Sequence, residues 1–245
     1  MLKQVFFYLF ILIPCMISQM SQVYSQTINP IKVIAFDFGG VIAKSDKSEV
    51  NQFLAKELGI TEEEADELQN NLKIYSRNGG MEQEFWDQYT HSKGITLPAN
   101  WNELFDQVRF KSIKEIPGSI QIVKELHKLG YQTALLSNVR MNQARLKRQL
   151  GFYDLFHPVL LSFEIGARKP ESQSYQILLD QLQVFPQQLL FIDNKDSNVA
   201  AAKSMGMDGI VFINAKQLTE ELKKRGINLP VKNFNSLSTD SAVTK

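Results

Sequence analysis

Only one cysteine, Cys15, three histidines and two tryptophans occur in the 245 residues. A single thiol cannot build a disulfide framework or a thiolate zinc site. His91, His127 and His157 fall on separate predicted elements, with no spacing that suggests a shared metal. An excess of one charge is also missing: 27 Lys and Arg against 26 Asp and Glu give a formal net charge of +1. That balance creates no field suited to nucleic acid or an anionic membrane as the main partner, so any recognition of anions must be local. Long apolar runs are absent as well, since the stretch over residues 5–17 is interrupted at Pro14 and falls short of the roughly 18 residues of a spanning helix. What remains, 44% hydrophobic and 22% charged residues, is ordinary for a globular chain with a sizeable core, and the length fits one large domain or a domain with an insertion.

That apolar stretch follows Lys3 and precedes a run of Ser and Gln to residue 26, the grammar of a secretory signal peptide. The expectation is a signal segment over residues 1–25, cut after Ser25, with Ser21 and Ser18 as other possible sites. The protein is then exported, to a periplasm or outside the cell, with no stable membrane anchor after cleavage; an uncleaved, tethering segment is the alternative. Loss of Lys3 and Cys15 reduces the 27 basic groups to 26, matching the 26 acidic ones, and removes the only thiol. A cysteine nucleophile is thereby excluded.

Residues 31–36 form a short apolar run with β-branched side chains, the pattern of a fully buried strand. Asp37 and the pair Gly39-Gly40 end it. From 45 to 114 the apolar spacing is helical and predicts helices over 49–58, 62–75, 82–93 and 102–110, with no strand among them. Thr61-Glu-Glu-Glu64 reads as a capping box, with Gly59 and Gly94 as helix stops. After Pro117-Gly118 the pattern alternates, with strands over 133–136, 158–161, 189–192 and 210–213 separated by helical segments. Such alternation predicts a parallel sheet. The expected fold is α/β: a doubly wound, Rossmann-like core over 26–44 and 115–232, an inserted α-helical cap over 45–114, and a loose, Ser- and Thr-rich tail over 233–245.

In an open parallel sheet, functional groups gather at the carboxyl ends of the strands. Four of those ends carry polar residues here: Asp37, Ser137-Asn138, Lys169-Pro170 and Asp193-Asn194. Each alone has a plainer explanation, since Ser, Asn and Asp commonly cap the helix that follows a strand and a lone Lys is commonly solvated. Together, in this order, Phe36-Asp-Phe-Gly-Gly-Val41, Leu135-Leu-Ser-Asn138, Gly166-Ala-Arg-Lys-Pro170 and Phe191-Ile-Asp-Asn-Lys-Asp-Ser-Asn198 resemble the four motifs of the haloacid dehalogenase superfamily, in particular its phosphatase-like members with a helical cap after the first strand. The resemblance covers nearly the whole mature chain.

It implies a hydrolase that releases phosphate from a small phosphorylated metabolite through an aspartyl-phosphate on Asp37. Lys169 would neutralise the reacting groups, and Ser137, Asn138, Gly39 and Gly40 would receive the phosphate. Magnesium would be held by Asp37, the Gly39 carbonyl, Asp193 and Asn194. Asp196 and Asn198 would orient that site or cap a helix, and the cap loop over 75–81 would face it. The sequence departs from the phosphatase pattern twice. Gly39 stands where those relatives place a second, proton-donating Asp, so esters with good leaving groups, such as sugar 1-phosphates, are the expected substrates. Asn194 stands where many have a second acid, which weakens the metal site by one charge.

Two alternatives remain open. A 2-haloacid dehalogenase would use Asp37 against carbon and need no metal; it would also want a halide cradle of Arg and aromatics, whereas Trp86, Tyr89 and Trp101 sit at core-like helical spacing. A binding module would keep the fold without turnover. Arg140, Arg145, Lys147 and Arg148 cluster on one predicted helix; they read as its solvated face, with an anionic substrate as the alternative, and Arg140 stands near Asn138. Oligomeric state is not legible.

Overall fold

The computed structural model describes residues 31–230; the expected signal segment and the tail over 233–245 lie outside the described residues. Among the described residues no helix is long and apolar enough to cross a membrane. Five strands form one parallel sheet: β1 (Val33–Phe36), β4 (Gln132–Ser137), β5 (Val159–Leu161), β6 (Leu189–Asp193) and β7 (Asp208–Val211), in the order β5-β4-β1-β6-β7. β1 is buried at every position, as a strand covered on both faces must be. The chain steps outward from β1 to β4 and β5, then returns to the other side for β6 and β7. The sheet therefore reverses direction of growth at β1, and the crevice above its carboxyl end is the place such sheets offer a ligand.

The helices of the core are α5 (Ser119–Lys128), α6 (Met141–Gln149), the single turn α7 (Ser162–Ile165), α8 (Ser172–Leu182), α9 (Asp196–Ser204) and α10 (Ala215–Lys224). Between β1 and α5 lies the helical insertion: α1 (Lys47–Leu58), α2 (Glu62–Arg77), α3 (Glu82–Lys93) and α4 (Trp101–Ser112). Thr61 and Glu64 make the reciprocal capping box at the start of α2, and Gly59 and Gly94 close α1 and α3 in the left-handed conformation. The expectation that the insertion lacks strands fails at its two ends. β2 (Ala43–Ser45) pairs antiparallel with β3 (Ile113–Glu115) and forms a two-stranded stem. Three residues, two of them exposed in each strand, offer no alternation from which a strand could be read.

The insertion has an aromatic core of its own. Trp86 is fully buried and meets Trp101 at 5.1 Å between ring centroids and Phe105 at 5.3 Å, both edge to face, the arrangement aromatic quadrupoles favour. Tyr89 packs against the same cluster. Polar contacts tie this layer to α6 and the loop before it: Arg140 Nη1 donates to Ser76 Oγ at 3.2 Å, Asn142 to Glu82, and Arg145 to Asp106.

Candidate active site

Register brings the two acids together. Phe36 pairs with Ile192 across β1 and β6, and the Asp37 amide donates to the Ile192 carbonyl at 2.8 Å. The next residues along, Asp37 and Asp193, then stand side by side on neighbouring strands, which lie about 4.8 Å apart. Both are buried, Asp193 completely. Two carboxylates this close repel strongly in a poorly screened interior. The opposing charge comes from Lys169, whose Nζ lies 2.6 Å from Asp37 Oδ1 and 2.7 Å from Asp193 Oδ2 and whose side chain is 1% exposed.

The loop that delivers Lys169 is clamped by Asn138. Asn138 Nδ2 donates to the Lys169 carbonyl at 2.8 Å, and the Lys169 amide donates back to Asn138 Oδ1 at 3.0 Å. The Asn138 side chain is thus spent on holding the lysine, and what it offers a phosphate is its backbone N–H. Neither that N–H nor the Ser137 hydroxyl is engaged by another described residue. Ser137 itself is buried at the end of β4.

Asp193 has two further partners. The Lys195 amide donates to its Oδ1 at 2.9 Å, a turn-type contact at the start of α9, and Asn198 Nδ2 donates to Oδ2 at 2.8 Å. Asn198 is in turn fixed through its carbonyl by the Tyr175 hydroxyl at 2.7 Å. The plain helix-start role of Asp193 and its place in the charged cluster coexist, one on each oxygen. Asn198 is a positioning residue, the orienting alternative that the fourth motif implied for it. Asp196 and Asn194 are exposed, and no described residue hydrogen-bonds to the Asn194 side chain.

The Gly39-Gly40 turn shapes the floor. Gly40 has φ +85°, and a Cβ there would lie 2.3 Å from Asn194 Nδ2; Gly39 has no such restriction, its nearest neighbour being Asp37 Oδ2 at 4.0 Å. We expect Gly40→Ala to lower stability by about 1–3 kcal/mol and Gly39→Ala to change it little. Thermal unfolding of the two variants decides this, and equal effects would contradict the geometry.

The residues present suit a magnesium ion. Asp37 and Asp193 carry two negative charges against the one positive charge of Lys169, Asp37 Oδ2 has no partner among the described residues, and no loop hydrogen bond reaches the Gly39 carbonyl. Among the described residues no group of three or more His, Cys, Asp or Glu side chains gathers as a metal site. A hard cation that keeps several waters and uses one or two carboxylates fits this sparse oxygen set better than zinc or a calcium cage.

The expected solvated face holds for only half of the basic cluster. Lys147 and Arg140 do not lie on a solvated face; both are half-buried, while Arg145 and Arg148 are exposed. Lys147 Nζ sits 4.4 Å above the Phe38 ring. Burial lowers the Lys147 pKa to about 8, against the pull of Asp37. Apolar spacing along a helix does not reveal what another element lays across it.

A buried carboxylate with one free oxygen is thus pinned by an ammonium at the switch point of a parallel sheet, the place where enzymes of this architecture gather their reacting groups. Residues 31–206 match the family model for haloacid dehalogenase-like hydrolases, and the chain belongs to that family. Among curated relatives it is 25% identical over 213 residues to the D-ribitol-5-phosphate phosphatase of Bacteroides thetaiotaomicron, covering 78% of this chain and 97% of that one. It is 27% identical to Bifunctional epoxide hydrolase 2 of Mus musculus, over 79% of this chain but only 38% of that protein's length. A HAD family enzyme of Bacteroides thetaiotaomicron, solved as a magnesium complex, superposes with a TM-score of 0.64 at 18% identity, covering 79% of this chain and 98% of the other. That likeness establishes the shared fold.

Proposed function

We propose that the protein is an exported, magnesium-dependent phosphomonoesterase that works through an aspartyl-phosphate on Asp37. The observation that carries this is the bridge of Lys169 to Asp37 Oδ1 and Asp193 Oδ2 at 2.6 and 2.7 Å. Burying three charged groups is a poor route to stability; what the bridge does is orient one carboxylate and leave its second oxygen free. Asp37 Oδ2 attacks phosphorus, the bond to the alcohol oxygen breaks with its electron pair, and water then attacks the acyl phosphate to release inorganic phosphate. The Ser137 hydroxyl and the Asn138 N–H, both unengaged, are placed to donate to phosphoryl oxygens, and Lys169 offsets charge between nucleophile and phosphate. Magnesium, held by Asp37, Asp193 and the Gly39 carbonyl, would supply the remaining charge neutralisation. Asn194 packs against Gly40 and is an outer contributor at most.

The leaving oxygen receives no proton from residue 39, since Gly39 has no side chain, which favours substrates such as sugar 1-phosphates or aryl phosphates. A dehalogenase would want a halide cradle of Arg and aromatics, and among the insertion's aromatics Trp86 and Trp101 are consumed in its own core. We expect magnesium to activate phosphate release from p-nitrophenyl phosphate and a chelator to abolish it. Metal-independent chloride release from 2-chloropropionate, without phosphatase activity, would replace this reading with the dehalogenase one.

A further inference from the structure

Beside Asn138 opens a cleft of about 310 Å³ between α2 and the loop that leads from β4 to α6. Its volume suits a small molecule. Five of its lining side chains are cationic, Lys47, Lys73, Arg77, Arg140 and Arg168, and none is acidic. Lys47 is neutralised by Asp66 at 2.9 Å. The other four have no carboxylate within ion-pair distance among the described residues, and Glu82, whose charge reaches Arg140, is itself engaged by Arg109 at 2.6 Å. Arg140 also lines a second, smaller cavity of about 90 Å³ that runs beneath the insertion to Lys147, so the positive surface continues inward from the cleft.

In a chain of nearly balanced charge, a concave patch of four cations without carboxylate partners, bordered by Asn138, whose backbone N–H the phosphatase reading assigns to the phosphate, is a specific feature. We infer that the preferred substrate is a small phosphomonoester carrying a second oxyanion, a carboxylate or a further phosphate, bound in this cleft by Lys73, Arg77, Arg140 and Arg168 while its reacting phosphate lies against Asp37. The inference rests on the phosphatase reading and narrows it. Partial desolvation and then neighbouring cations hold the Lys73 ammonium below its ordinary pKa, and desolvation does the same for the half-buried Arg140. Guanidinium groups suit either oxyanion, because their paired N–H groups match its geometry.

Matched esters of equal leaving-group quality provide the test. Calorimetric binding to the full-length Asp37→Asn protein, with magnesium and at about 0.15 M salt so that exposed charges act only over about 8 Å, should favour 3-phosphoglycerate over glycerol 3-phosphate. Fructose 1,6-bisphosphate should likewise exceed fructose 6-phosphate, and the larger preference identifies the oxyanion. The expected ratio is about ten- to a hundred-fold, the worth of one or two charge-assisted hydrogen bonds. Lys73 and Arg77 are exposed on α2, so Lys73→Gln/Arg77→Gln in the same background should fold and should collapse the ratio by about tenfold. Ratios near one in both pairs, no binding by any of the four esters, or a ratio unmoved by the double substitution would overturn the inference. Its failure is separable from that of the phosphatase reading, which stands or falls on magnesium-dependent release from p-nitrophenyl phosphate by the unsubstituted protein.

Discussion

Asp37→Asn should lower magnesium-dependent phosphate release by about four orders of magnitude or more while the protein stays folded. The amide matches the carboxylate in shape but lacks the negative oxygen that attacks phosphorus. The fold has reason to tolerate the change, because Lys169 keeps Asp193 as its partner at 2.7 Å and the buried cluster passes from a surplus negative charge to balance. Losing one partner of a buried pair is ordinarily destabilising because it strands a charge; here no charge is stranded, and the midpoint of thermal unfolding should not fall. Unsubstituted protein quenched during turnover should carry a hydroxylamine-sensitive phosphate label that the variant lacks. A variant retaining a tenth of the activity would remove Asp37 from the nucleophilic role.

How much of this was legible beforehand differs by residue. Asp37 and Asp193 announce themselves because each ends a short apolar run, and a parallel sheet collects such ends on one edge. Their side-by-side placement is a matter of register, Phe36 against Ile192, which periodicity does not encode. Lys169 stands in a loop with no hydrophobic pattern, where its position beyond a strand is compatible with a solvated lysine and only the motif around it points to function; the clamp from Asn138 that aims it is a contact between residues 31 positions apart. Element ends shifted by one or two residues, as at α4, expected over 102–110 and observed as Trp101–Ser112, because terminal turns fray and carry little pattern. Lys147 departs from the expected solvated face for a different reason: it lies over the Phe38 ring, and a helix side covered by another element has the same polar pattern as one that faces water; Arg140, just before α6, is marked only by its nearness to Asn138.

Gly39→Asp should raise kcat on an alkyl phosphate such as glycerol 3-phosphate by about a hundredfold while changing the rate on p-nitrophenyl phosphate by less than about threefold. The backbone permits it: Gly39 is not among the positive-φ glycines, and a Cβ there meets only Asp37 Oδ2 at 4.0 Å. The new carboxyl would stand near Asp37 and Asp193, with Lys169 already committed to both. Repulsion from those acids favours its protonated form, the state in which it can hand a proton to a departing alkoxide. An alkoxide needs that proton to leave, whereas nitrophenolate leaves readily without it, so the two substrates should separate. Steady-state kinetics on both esters measures the effect as a ratio, which cancels any change in protein folding or metal occupancy. Equal gains or equal losses on the two would mean that proton delivery at position 39 is not what limits this enzyme, and that its preference among esters is set elsewhere.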